Sequence, residues 1–167
     1  HDTIKNADAI VLPGVGSFSQ GMENLNRLNL VNLIKDEVLI KKKKFLGICL
    51  GMQLVMKKGT ENRISEGLGF FSGEVIKLKQ KDLTVPHLGW NNVEVIDEKL
   101  YSGIVKKDFY FIHSYHVVPD DISIVSATVN YGSDIVASLL SENICATQFH
   151  PEKSQESGLI LLTNFLK

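Results

Sequence analysis

Gly47-Ile48-Cys49-Leu50-Gly51 holds one cysteine between two glycines, where an apolar run ends and a helical pattern begins. This is the G-x-S-x-G spacing of a nucleophile elbow, with sulfur in place of the hydroxyl. A nucleophile on a sharp strand-to-helix turn sits in strained backbone, and flanking glycines remove the clashes. The helix that follows aims free N–H groups and its positive end at the sulfur, which predicts a lowered thiol pKa and a reactive thiolate. The Leu50 N–H is then placed to stabilise an oxyanion. The pentapeptide alone also fits a small, buried, inert cysteine.

A thiol nucleophile needs a base and a group that orients the base. "TQFHPEKS" (147–154) supplies both, in His150 and Glu152. In extended backbone, residues two apart point to the same side, and Pro151 biases His150 toward that geometry. A histidine beside a glutamate is unremarkable by itself. With the cysteine elbow in the same small chain, it reads as a Cys-His-Glu triad. The loop "LPGVGSF" (12–18) offers a second oxyanion donor, since Gly14 and Gly16 let backbone approach a ligand closely. It lacks GxxxxGK[ST], so it is not a phosphate-binding P-loop.

Other chemistry-bearing residues are weaker. His113 and His116, three apart on a strand, face opposite sides, which is poor zinc geometry; no metal is expected. Cys145 lies inside an apparent strand and reads as core. Trp90, the sole tryptophan, sits in the Gly/Asn-rich "HLGWN", read as a loop; exposed there it suits an interface, and packing inside is an equal alternative.

These groups need elements to position them. "DAIVLPG" (8–14) and "FLGIC" (45–49) read as buried strands. Residues 17–44 read as one helix, with Leu25, Leu28, Val31, Ile34 and Val38 at helical spacing and the lysines 41–44 as its solvated end. Residues 50–59 read as a helix closed by Gly59. Six strands follow, at 73–78, 91–96, 108–118, 123–129, 134–140 and 144–149. "NYGSD" (130–134) carries turn signals. A last helix has Ser154 as its N-cap residue. The pattern predicts a three-layer α/β domain with a central mixed, mostly parallel sheet.

Composition narrows the class. The chain has 167 residues, enough for one domain. A net charge of −1 gives no basic field for nucleic acid or an anionic membrane. No apolar run reaches membrane-span length, no signal-peptide pattern is visible, and two cysteines make no disulfide framework, so a reducing cytoplasm is the expectation.

On "LPGVGSF", "GICLGMQL", "VPHLGWN" (85–91), "FIHSYHV" (111–117) and "QFHPEKS", the sequence resembles the class I, triad-type glutamine amidotransferases over essentially its whole length. Within that family it is most similar to the glutaminase subunits of histidine biosynthesis, which feed a cyclase that forms imidazole glycerol phosphate. The resemblance implies a flavodoxin-like fold and hydrolysis of glutamine to glutamate and ammonia, without a cofactor. It implies Cys49, His150 and Glu152 as the triad and Val15, Gly16 and Leu50 as the oxyanion hole. Gln53, Ser114 and Tyr115 would contact substrate. His87, Trp90 and Lys153 would face the partner, a cyclase subunit with a (β/α)8 barrel, in a heterodimer. The triad leaves the ammonia acceptor open: a module serving a surface-sugar amidotransferase would look the same. Family members open with a further strand and helix, so residues 1–167 would be one domain, amino-terminally incomplete relative to the family. A non-catalytic scaffold is then a further alternative.

Overall fold

Neighbouring residues of the strand at 44–49 enter two different cores, and that decides the layering. Phe45 packs with residues of the helices before and after it in sequence, whereas its neighbour Leu46 packs with the carboxy-terminal helix. A strand covered on both faces lies inside a three-layer domain. The computed structural model describes residues 1–79 and 83–167. In chain order the elements are α1 (Asp2–Asn6), β1 (Ala9–Gly14), α2 (Phe18–Arg27), α3 (Val31–Lys35), β2 (Lys44–Cys49), α4 (Leu50–Leu54), β3 (Met56–Gly59), β4 (Ser65–Glu66) and β5 (Phe71–Lys77). There follow β6 (His87–Val95), β7 (Asp108–His113), β8 (Tyr115–Pro119), β9 (Val125–Asn130), β10 (Asp134–Ser141), β11 (Ile144–Thr147) and α5 (Gln155–Leu166).

The main sheet has the order β1-β2-β11-β10-β9-β6-β7, and a smaller one the order β4-β3-β5-β8. The α/β class and the mixed sheet are as expected, but the balance of directions differs. In the main sheet only β1–β2 and β2–β11 pair in parallel; the other four pairs are antiparallel. The reason is connection length. Parallel neighbours need a long crossover, which α2 and α3 supply between β1 and β2, whereas β9, β10 and β11 follow one another through tight turns. The expected turn at 130–134 is one of these, closing Asn130 against Asp134.

The expected helix over 17–44 is interrupted. Asn29 takes a left-handed φ of 55°, and Leu30 N–H donates to Leu25 O at 2.9 Å, a helix-ending pattern. The chain then re-enters α3 and a π-helical turn, Asp36–Ile40. The expected helix over 50–59 stops at Leu54 instead. The carbonyls of Leu54 and Val55 accept from Leu68 and Phe70 N–H, and residues 56–59 join the small sheet. Residues 108–118 divide at Ser114 into β7 and β8, which belong to different sheets. Trp90 lies within strand β6, not in a loop.

Nor are the lysines simply a solvated end. Lys41 and Lys43 both pair at 2.7 Å with Glu37, which is 1% exposed, and Lys43 also caps carbonyls of α1. Hydrogen bonds from Lys41, then Lys43, hold the Glu37 carboxyl below its ordinary 4.5. Its stabilisation is therefore complete above pH 4.5 and lost as pH falls through the depressed value. Glu37→Gln is expected to flatten the acid limb of the stability curve, measured as denaturant midpoints at successive acidic pH values. Parallel curves for variant and wild type would show that Glu37 contributes nothing there.

Candidate active site

At the end of β2 the chain turns sharply into α4, and Cys49 takes φ 54° and ψ −106°, a strained conformation for a non-glycine residue. Parallel pairing puts Gly14, the last residue of β1, opposite Cys49. The two glycines of the elbow are required by close approach. A Cβ on Gly51 would lie 1.8 Å from Leu12 O, and one on Gly47 would lie 2.6 Å from Gly51 O. Gly51→Ala therefore forces β1 away from the elbow. The expected cost exceeds ~3 kcal/mol, the upper end of ordinary overpacking. A denaturant midpoint unchanged from wild type would contradict this packing.

The Cys49 thiol is buried. Its Sγ lies 3.7 Å from Ile112 O, to which S–H donates, and accepts from Gln148 Nε2 at 3.8 Å. The expected lowering of its pKa does not hold in this state. Burial pushes the thiol up to about 11, outweighing the Leu50 N–H that favours the thiolate. The nearby Glu152 charge adds to the rise. The helix after the cysteine has only five residues, so its positive end is too weak to reverse the cost of desolvation.

His150 follows β11 and is buried. Its N–H donates to Tyr110 O at 2.9 Å, and Ser154 Oγ donates to its carbonyl at 2.6 Å. Ser154 stands at the N-cap position of α5 as expected, yet its hydroxyl caps no helical N–H; it also accepts from Tyr110 N–H at 3.0 Å. The hydroxyl thus clamps the base to β7. His150 Nδ1 lies 2.6 Å from Glu152 Oε1, but Glu152 reaches it from a 3-10 turn, Pro151–Lys153, and not from the extended backbone expected. In a neutral ring that contact puts the proton on Nδ1 and leaves Nε2 as the free base. Nε2 is buried and has no hydrogen-bond partner among the described residues.

Cys49, Leu50 and His150 border one cavity of about 310 Å³, together with Val15, Gly16, Gln53, Ser114 and Tyr115. Eight residues expected to do chemistry or hold substrate thus share a single space. Glu152 stands behind His150, touching it from the solvent side. Gly16 takes φ 103°, open to glycine and strained for other residues. Gln53 Nε2 donates to Tyr115 O at 3.0 Å and to Gln148 Oε1 at 3.2 Å. Gln148 and Glu61 are additions that sequence reading missed. Gln148 precedes His150 by two on the same extended segment, so the alternation that singled out Glu152 could have found it. Glu61, a cavity-lining carboxylate that also accepts from Phe18 N–H at 2.8 Å, carries no local signal.

Of the residues expected to face a partner, Trp90 is 51% exposed and meets Tyr110 edge-on, with ring centroids 6.1 Å apart. Lys153 is exposed, its Nζ 5.9 Å from the centroid of the same tyrosine ring. His87 is different. It is 2% exposed and stacked between Phe111 and Tyr131, so its ring presents no free surface. Strand alternation does not separate His87 from Trp90 by chance: three positions apart, they lie on opposite faces, and His87 faces in. Cys145 is buried in β11 as expected, its thiol pushed up by burial to about 12. Among the described residues, no three His, Cys, Asp or Glu side chains are grouped to hold a metal, and no helix is long and apolar enough to cross a membrane.

A cysteine elbow, a glycine loop and a histidine backed by a glutamate meet at one cavity of an α/β domain, the arrangement that acyl transfer by a thiol would require. The chain belongs to the glutamine amidotransferase class-I family, whose pattern matches residues 1–167. It is 50% identical to imidazole glycerol phosphate synthase subunit HisH 1 of Campylobacter jejuni (strain RM1221), over 98% of this chain and 83% of that one. It is 48% identical to subunit HisH of Aquifex aeolicus (strain VF5), over 95% and 77% of the two chains, and 47% identical to subunit HisH of Pyrococcus furiosus, over 97% and 82%. The fold is shared with a solved glutamine amidotransferase at a TM-score of 0.70 and 17% identity, covering 98% of this chain and 82% of that one. The solved glutaminase domain of Trypanosoma brucei CTPS, with bound acivicin, gives 0.62 at 17% identity, covering 98% and 73%.

Proposed function

We propose that this chain is the glutaminase subunit of an imidazole glycerol phosphate synthase. It would hydrolyse glutamine and pass the ammonia to a cyclase subunit in histidine biosynthesis. The observation that carries the reading is the shared cavity of Cys49, with its strained backbone, and His150, with its free, buried Nε2. Cys49 Sγ attacks the side-chain amide carbon of glutamine as its proton passes to His150 Nε2. The Leu50 N–H and an N–H of the Val15–Gly16 segment receive the oxyanion. The resulting imidazolium, held by Glu152, protonates the leaving ammonia. A water, deprotonated by His150, then cleaves the γ-glutamyl thioester and releases glutamate. Glu61 is the anion suited to the substrate's α-ammonium group, and the Ser114–Tyr115 backbone with Gln53 cradles the amino acid.

The partner is a (β/α)8-barrel cyclase, in a cytoplasmic heterodimer, docking on the face of Trp90, Tyr110 and Lys153. The test is glutamate release with and without the cyclase and its nucleotide ligand. Hydrolysis that the cyclase stimulates supports the reading, and absence of hydrolysis from the saturated complex refutes it. Trp90→Ala and Lys153→Ala are each expected to weaken cyclase affinity about tenfold, or ~1.4 kcal/mol, and Trp90→Ala to leave Cys49 alkylation by iodoacetamide unchanged. Titrations of the stimulated rate check this; unaltered midpoints would move the docking face elsewhere.

A further inference from the structure

His87 does no work in the scheme above, yet it is among the most buried polar residues. Its Nδ1 lies 3.0 Å from His113 Nε2, and His113 Nδ1 lies 2.8 Å from Tyr115 O. Burial keeps both rings neutral, with pKa values lowered to about 4 for His87 and about 3 for His113. The Tyr115 carbonyl then settles every proton. A carbonyl only accepts, so His113 carries its hydrogen on Nδ1 and offers a bare Nε2. His87 must donate to that nitrogen, so it too is protonated on Nδ1. Its own Nε2 accepts from Asn91 Nδ2 at 3.4 Å, and the same amide donates to Asn130 O at 3.1 Å.

The chain of donors ends on the Tyr115 oxygen, where a second network meets it. That carbonyl also accepts from Gln53 Nε2, Gln53 donates to Gln148, and Gln148 Nε2 points at Cys49 Sγ. We infer that His87 and His113 are positioning residues, whose one-directional hydrogen-bond chain holds the Tyr115 carbonyl, and through it the substrate-binding backbone, in register with the nucleophile. This rests on the glutaminase reading for its kinetic consequence. With the Tyr115 oxygen held by two donors, the segment at 114–115 has a set orientation. Without His87, the buried His113 Nε2 is an acceptor left unsatisfied, and the ring loses its reason to stay where it holds Tyr115.

The experiment separates donation from packing. His87→Phe keeps a ring between Phe111 and Tyr131 and removes the donor; His87→Asn keeps a donor near the Nδ1 position and removes the ring. In the saturated complex, His87→Phe is expected to raise KM for glutamine about tenfold, with a smaller change in kcat, and His87→Asn to recover most of that loss. His113→Phe should match His87→Phe, and His113→Asn, which can still donate to Tyr115, should recover. Nitrogen NMR of the wild-type imidazoles is expected to show both rings neutral and protonated on Nδ1. Two results overturn the inference: a wild-type His113 protonated on Nε2, or phenylalanine variants that keep the wild-type KM while the asparagine variants lose it. A wild-type complex with Nδ1-protonated rings and no glutamine turnover would support the hydrogen-bond chain and refute the glutaminase reading instead.

Discussion

Cys49→Ala is expected to leave a folded chain that still binds its cyclase and hydrolyses no measurable glutamine. The loss should be on the order of 10⁶ in kcat, the scale seen when an acyl-transfer triad loses its nucleophile. Folding should survive because the sulfur's contacts, to Ile112 O and from Gln148, are long and weak. Acidity does not mark this thiol out. Cys49 and Cys145 are both buried, with pKa values pushed up to about 11 and about 12. Location separates them: Cys49 opens into the cavity with His150, and Cys145 does not border it. An electrophilic glutamine analogue should therefore label Cys49 alone, as read by peptide mass spectrometry. Label on Cys145 with Cys49 spared would overturn the assignment.

His150→Asn should be nearly as damaging, beyond the ~10²–10⁴ of acid–base help alone. The raised thiol pKa is the reason. With a pKa of about 11, Cys49 is almost wholly protonated at neutral pH unless the imidazole takes its proton. The variant loses the base and, at neutral pH, the imidazole's route to a thiolate in one step. Its residual reactivity should then follow the thiol itself. Iodoacetamide labelling of Cys49 in His150→Asn should climb with pH throughout the alkaline range toward about 11, because only the thiolate reacts. Glu152→Gln should cost less, since the amide oxygen can still accept from Nδ1 while the charge that favours imidazolium is gone. A His150→Asn enzyme with near-normal steady-state hydrolysis would remove the triad from this site.

The residues proposed as catalytic could be singled out before any coordinates, and the reason is local. The glycines around Cys49 encode a sharp turn among chain neighbours, and the two-residue step from His150 to Glu152 keeps the pair within reach even though a 3-10 turn, not extended backbone, joins them. The strands at 45–49 and 134–140 were legible for the same reason, as runs whose side chains must be buried. What the residues near in sequence do not carry, the tertiary structure decided. Met56–Gly59 abandons the helix because partners far along the chain capture it into a sheet. His87 turns inward because Phe111 and Tyr131 receive its ring, while Trp90 on the same strand turns outward. Glu61 enters the cavity from a segment with no periodic pattern at all. The thiol's acidity shows the division most plainly. The elbow predicts an activated sulfur from the dipole of the next helix, but desolvation sums over every atom that excludes water, and only the folded chain sets that sum.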